Sequence, residues 1–333
     1  MTTSIVYNGK RRQLLWIGLS SLILTLFTLF IYSFWAITKL RKFFSDHLSI
    51  DGHHLSYHGT GKELFIGVFK FFALFVLINI ASEFVFYKIQ FLKYFILYIF
   101  FSYVIFDAYK YRASRTSYKG LQFSLSGSKL EYFKLIIKRS VLNSLSFGVL
   151  APKSTILKYE YIFSNLRIGA HAFSFNSDYR HLLKLNIITL ILFIPTLGIS
   201  RLWYSHAMFL TIIRGGRLES IQLSSNLPLT TYIKFKLVNV FLVLVPFILF
   251  SLYYLVLFII LLKLSIDNQV LFIVAPFILF FIYIDLIRIF LHHRWLNFIS
   301  AHVHIFGDLS VISMSMETPP IRPDYDAILS SEF

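Results

Sequence analysis

Five ionisable side chains, Lys70, Glu83, Asp107, Asp285 and Arg288, lie within or at the edge of long apolar runs. Hydrocarbon makes a charge expensive, so a membrane protein keeps such groups for pathways or for pairing. Facing one wet cavity, Glu83, Asp107 and Asp285 would suit a cation or proton-coupled path. Asp285 and Arg288 stand three apart on one helix and can instead pair with each other, while Lys70 and Lys93 can snorkel toward headgroups. The five residues form the candidate intramembrane polar site.

Two other constellations have suggestive residue types and the wrong spacing. Gly59-Thr-Gly-Lys62 offers the glycines and lysine of a phosphate loop, but Ser56 stands where a further glycine is needed and Glu63 where Ser or Thr is needed. A turn before a helix at Leu64 is the preferred reading. Histidines cluster at His53, His54 and His58 and again at His292, His293, His302 and His304, and imidazole is a common metal ligand. His54 and His58 are four apart, yet Asp51-Gly52 and Gly59 argue against the helix that would align them, so solvent-facing hairpin positions are expected. With no His-Glu-x-x-His, no Gly-x-Ser-x-Gly and no cysteine, no catalytic residue, cofactor or metal ligand is assigned, and an enzyme is not expected.

The elements that must position these residues are apolar to an unusual degree. Hydrophobic residues make up 57% of the 333-residue chain and charged residues 14%, against about 25% charged in soluble domains. Its 38 Phe would leave sticky patches unless lipid covered them. Six stretches are long enough to cross a bilayer: Leu14–Trp35, Leu64–Ser82, Phe91–Tyr109, Leu182–Trp203, Lys236–Leu262 and Val270–Leu291. Lys134–Leu150 is weaker, because Lys134, Lys138 and Arg139 interrupt it. The net charge of +16 follows the spans, as in Lys39, Arg41 and Lys42 or Lys110, Arg112 and Arg115. That pattern fits cytoplasmic anchoring and anionic headgroups rather than nucleic acid. Trp16, Trp35, Trp203 and Trp295 read as interface belts, and Pro195, Pro246 and Pro276 as bends.

One pattern recurs: an apolar span, a basic aromatic helix, then a short alternating segment with a glycine near its start. Copies run over Leu48–Tyr57, Thr116–Leu125 and Leu166–Phe175, with degenerate forms at Gly216–Leu223 and Val303–Val311. Each reads as a tight hairpin, too small to be stable alone, so the hairpins are expected to pair with one another or lie on the helices as a β layer on one side of the membrane. Hairpins on one side need an even number of crossings between them. Leu64–Ser82 and Phe91–Tyr109 supply two, whereas Lys134–Leu150 must be a re-entrant or interfacial pair broken around Gly148 to Pro152, or the hairpins alternate sides.

The segments Thr25-Leu-Phe-Thr-Leu-Phe-Ile-Tyr-Ser-Phe-Trp-Ala36, Lys39-Leu-Arg-Lys-Phe-Phe44 and Asp51-Gly-His-His-Leu-Ser-Tyr-His-Gly-Thr-Gly-Lys62 resemble the YjgN family of bacterial inner-membrane proteins, a domain of unknown function. Tyr111–Phe123 and Ser164–Phe173 fit the same series, and Pro195-Thr-Leu-Gly198 keeps the family form where the first copy has Phe27 or Phe30 in place of glycine. The resemblance runs from about residue 8 to residue 315 and implies a multi-pass protein of the inner membrane, with no known activity.

The expected fold class is an all-α membrane protein, a polytopic helical bundle of about six to eight apolar segments with short β-hairpins between spans, built from internal repeats. A basic segment (1–13) precedes the membrane domain (14–315) and a flexible polar tail (316–333) follows it. The expected function is that of a transporter or channel for a small solute or lipid. The alternative is a non-catalytic scaffold that binds a protein partner through a basic cytoplasmic face. Membrane lipids are expected partners, and nucleic acid is not.

Overall fold

A computed structural model describes residues 2–86, 90–263 and 269–312. Strand β1 (Thr2–Tyr7) leads into the helical hairpin α1 (Arg11–Phe27) and α2 (Ser33–Asp46). Strands β2 (Leu48–Ile50) and β3 (His53–Tyr57) follow, then helices α3 (Gly61–Phe86) and α4 (Gln90–Ser114). The alternation continues through β4 (Thr116–Tyr118), β5 (Leu121–Leu125), α5 (Lys129–Leu145), α6 (Ala151–Asn165), β6 (Leu166–Ile168), β7 (His171–Phe175), α7 (Arg180–Ile191) and α8 (Ser200–Gly215). It ends with β8 (Gly216–Leu218), β9 (Ile221–Ser225), α9 (Leu229–Lys263), α10 (Gln269–His302), β10 (Val303–Phe306) and a 3-10 turn at Leu309–Ile312.

The ten strands close into one antiparallel barrel in the order β1-β10-β9-β8-β7-β6-β5-β4-β3-β2. This corrects the all-α fold class expected from the sequence. The hairpins are not separate connectors between spans but adjacent pieces of a single sheet. The physical reason is that strands of three to six residues cannot stand alone, and every unpaired edge leaves backbone groups open. Each hairpin therefore pairs with the next, as in Tyr57 opposite Thr116, Leu125 opposite Leu166 and Phe175 opposite Gly216. The segment expected as a fifth hairpin, Val303–Val311, contributes only β10. Its partner is β1, with Ser4 opposite His304, and β1 also pairs β2, which closes the circle.

The helices repeat this closure. Each helix packs on its neighbour in chain order, and α10 packs on α1, so a ring of ten helices stands on the ring of ten strands. Every helical hairpin leaves the barrel from one strand and returns to the next, which keeps all strands on one side. Among the described residues three stretches are long and apolar enough to cross a membrane: Gly61–Ala81, Leu92–Ser114 and Leu229–Val256. The apolar run Val270–Leu291 lies in α10, 34 residues long.

Two of the expected spans are not single helices. Leu14–Trp35 breaks between α1 and α2, and Leu182–Trp203 breaks between α7 and α8; Lys134–Leu150 ends in a similar break before α6. The three breaks share one hydrogen-bonded design. Thr28 Oγ1 donates to the Leu24 carbonyl (2.8 Å) and accepts from the Tyr32 amide (2.9 Å). Ser146 Oγ does the same between Leu142 O (2.6 Å) and Leu150 N (3.0 Å), and Thr196 Oγ1 between Leu192 O (2.6 Å) and Ser200 N (3.1 Å). One residue after the hydroxyl, Leu29, Phe147 and Leu197 adopt positive φ, and the next position, Phe30, Gly148 or Gly198, does so too. That second residue sends its amide five residues back, to Thr25 O, Asn143 O and Phe193 O, the bond that ends a helix in the Schellman manner.

Phe30 holds φ 70°, where two sister tips use glycine, and its ring meets Phe281 edge-on at 4.9 Å. At Gly198 (φ 83°) a Cβ would lie 3.3 Å from the Phe193 ring. Gly198→Val is expected to cost about 1–3 kcal/mol, because a β-branched residue is strained in the left-handed region. Thermal unfolding in detergent should show a lowered midpoint for Gly198→Val and little change for Leu197→Met.

Candidate functional site

Residues directly opposite each other in an antiparallel pair project to the same face of a sheet. The register therefore places five apolar pairs on the barrel's inner wall: Ile5 with Ile50, Leu55 with Tyr118, Phe123 with Ile168, Phe173 with Leu218, and Leu223 with Ile305. The intervening positions point outward and are mostly polar: Ser56, Ser124, Ser174 and Ser224. The outer wall is thus wet and the inner wall oily.

Burial along this wall falls into tiers. At the turn end Tyr118, Leu121, Ile168, Leu218, Ile221 and Ile305 are buried against Leu309 and Ile312 of the 3-10 turn, which stoppers that end. At the helix end the last residues of the outgoing strands, Tyr7, Tyr57, Leu125, Phe175 and Ser225, are all buried. Between these layers Ile5, Leu55, Phe123, Phe173 and Leu223 are only half-buried, although they face inward. A barrel of about eight strands is just filled by its own side chains, and ten strands make a wider one. The half-buried tier packs against the buried cluster and carries no Asp, Glu, Lys or Arg.

The helices hold the barrel's helix end through a second ring. Thr38, Phe106, Ile156, His206 and His293 each stand ten residues before a returning strand, and all five are buried. Phe106 packs on Leu125, and Ile156 on Phe175. The two histidines make hydrogen bonds to the outgoing segments, His206 Nε2 to Leu227 O (2.9 Å) and His293 Nδ1 with the Tyr7 hydroxyl (2.9 Å). Arg41 Nη1 donates to the Tyr57 hydroxyl at 2.9 Å. The rings of Tyr7 and Tyr57 fold back over Gly9 and Gly59, where a Cβ would stand 2.2 and 2.5 Å from the phenolic oxygens.

This accounts for Gly59-Thr-Gly-Lys62 without a phosphate. Gly59 admits the Tyr57 ring, Thr60 Oγ1 accepts from the Glu63 amide (3.2 Å) at the start of α3, and Gly61 lies under Trp35. The histidines disperse: His54 is exposed, His58 bonds Ser117 (2.7 Å) and His292 packs edge-on against Phe44. Among the described residues no group of three His, Cys, Asp or Glu stands where it could hold a metal.

The five polar residues singled out in the sequence are not brought together. Glu83 pairs with Lys93 at the far end of the α3–α4 hairpin, and Asp107 pairs with Lys129 (3.3 Å). Lys93 and Asp107 are fourteen residues apart on α4, or about 21 Å of helix. Asp285 and Arg288 bond to each other at 2.7 Å, and Arg288 borders an open apolar groove of about 600 Å³ with Val243, Phe247 and Trp295. Lys70 is exposed on α3. The inner-wall residues escaped the sequence reading, yet a signal for them exists: Leu55-Ser-Tyr57, Phe123-Ser-Leu125, Phe173-Ser-Phe175 and Leu223-Ser-Ser225 repeat an apolar-serine step at each strand end.

Over residues 2–314 the chain matches a family described as bacterial protein of unknown function (DUF898). It is 21% identical over 234 residues to the inner membrane protein YjgN of Escherichia coli O157:H7, a match covering 59% of this chain and 58% of that protein. It is 32% identical over 73 residues to inner membrane protein YjgN of Salmonella typhimurium, covering 22% of this chain and 18% of that one. The chain thus spans less than two thirds of the curated relatives it matches. No solved structure matches it.

Burial pushes the phenols of Tyr7 and Tyr118 up to about 12; for Tyr118 the nearby Asp51 carboxylate adds to the effect. Both are held neutral in the folded state, so their stabilisation is complete below pH ~10, the ordinary tyrosine value, and is lost as pH rises toward about 12. Denaturation should steepen across that window. A Tyr7→Phe/Tyr118→Phe variant is expected to show a flatter fall, read by thermal midpoint against pH.

Proposed function

We propose a role in the bacterial inner membrane for this chain, which belongs to the DUF898 family of bacterial proteins of unknown function. In this reading the ring of helices is the multi-pass membrane part, the barrel stands on the cytoplasmic side, and the half-buried tier of the barrel's inner wall lines a chamber that receives one apolar chain, such as a lipid tail. The five sectors are copies of one unit, with β10 and β1 together as the fifth hairpin.

Cation placement supports the orientation. Lys10, Arg11, Lys42, Lys62, Arg115, Lys129, Arg167, Arg180, Arg214 and Arg217 all stand at barrel-side helix ends or on the barrel, whereas among the described residues the far ends of the long hairpins hold Lys93 and Lys263. Such an excess marks the cytoplasmic face. The names of the Escherichia coli and Salmonella relatives agree with an inner-membrane site.

The observation that carries the ligand class is the half-buried tier of Ile5, Leu55, Phe123, Phe173 and Leu223 between two buried layers. Polar solutes need hydrogen-bonding partners in exchange for water, and this wall presents methyl groups and rings. An apolar chain loses nothing there and displaces poorly held water.

Photoreactive benzoylphenylalanine placed at Phe123 or Phe173 should crosslink a lipid in cells, detected as a mass adduct on the purified protein. The double substitution Leu55→Trp/Leu223→Trp, which fills the space while keeping it apolar, should cut the adduct at least tenfold. Equal adduct formation in the filled variant, or none in the parent, would overturn this reading.

A further inference from the structure

We propose that the tips between α1 and α2, α5 and α6, and α7 and α8 are re-entrant: they stop inside the bilayer's hydrocarbon and turn back, holding only the barrel-side leaflet. The inference rests on the barrel-below, helices-in-membrane reading given above, and it names the partner of these surfaces as lipid acyl chains.

Length is the first argument. At 1.5 Å per residue the six helices of these hairpins, 12 to 17 residues long, reach about 18–26 Å from the barrel, short of the roughly 30 Å of hydrocarbon. Helices α3, α4, α9 and α10, of 25 to 35 residues, reach about 38–53 Å and can cross.

Surface character is the second. Phe27 and Leu29 on the first tip, Leu145 and Phe147 on the second, and Ile194 and Leu197 on the third are 79% to 93% exposed. Six large apolar side chains at three turning points in one ring are covered at no cost by the hydrocarbon that surrounds the long hairpins.

Backbone accounting is the third. In lipid an irregular turn survives only if protein groups satisfy it. Here the Thr28, Ser146 and Thr196 hydroxyls each bridge a carbonyl on one arm and an amide on the other. Asn186, fully buried, donates to both Gly148 O and Val149 O (3.0 Å each) on the neighbouring tip, and its own oxygen accepts from Arg201 Nη1 (2.8 Å). Thr189, also fully buried, accepts from the same guanidinium at 3.2 Å.

The chain contains no cysteine, so single-Cys probes are unambiguous. Leu29→Cys, Phe147→Cys and Leu197→Cys would be tested in right-side-out and everted vesicles with a membrane-impermeant maleimide, then as fluorophore conjugates with lipids spin-labelled near the headgroup or deep in the chain. Expected are protection from both sides and stronger quenching by the deep label. Labelling from the face opposite the barrel would mean that the tips cross, and labelling from the barrel's face that they stay in water; either overturns the proposal. Ser124→Cys on the outer barrel wall is the control: if it reacts only from the external face, the orientation fails while the tip result still stands by its depth. Should Leu29→Cys not accumulate, Phe27→Cys reports the same tip.

Discussion

The whole architecture follows from one requirement, that no backbone amide or carbonyl be left without a partner. Strands of three to six residues bury too little surface to persist as isolated ribbons, and their edges attract further pairing. Closing ten of them into a circle removes every edge. With the short turns of β2–β3, β4–β5, β6–β7 and β8–β9 at one rim, every helical connection starts and ends at the other rim, and the helices go out and come back. The even number of helices per connection and the ring they form are consequences of the barrel rather than separate inventions.

The sequence made the repeated units legible and left their assembly hidden. Four of the five alternating segments predicted as hairpins occupy β2–β3, β4–β5, β6–β7 and β8–β9, because a two-residue turn between short apolar runs is a local signal. Barrel closure is not local. The pairing of β1 with β10 joins residues 300 or more apart, and nothing in either strand announces the other. Helix breaks hid for a different reason: residues 28–32 and 192–199 are as apolar as a continuous span, and hydropathy does not register a change of φ. Only the hydroxyl followed two residues later by Phe30, Gly148 or Gly198 marks the turn, a pattern that becomes visible once the three tips are set side by side.

The candidate polar site was picked out by its charge. Glu83, Asp107 and Asp285 attract notice because an unpaired carboxylate in lipid is costly, yet in the structure each has a cationic neighbour. They read as pairs that let long helices carry polar groups. The distinctive interior belongs instead to uncharged residues. Leu55, Phe123, Phe173 and Leu223 look unremarkable among so many Leu and Phe, and only the register of the sheet separates those on the inner wall from the rest.

The seam between β1 and β10 also bears on how such a chain is made. Residues 2–7 leave the ribosome before the other nine strands and can pair with β2 as soon as residues 48–50 emerge, but their other edge waits until residues 303–306 have been synthesised. Throughout elongation the nascent barrel is an open, growing sheet with one idle edge at each extremity. Completion is therefore a single late event, and the Tyr7–His293 bond, joining the oldest strand to the youngest helix, is the clasp that records it.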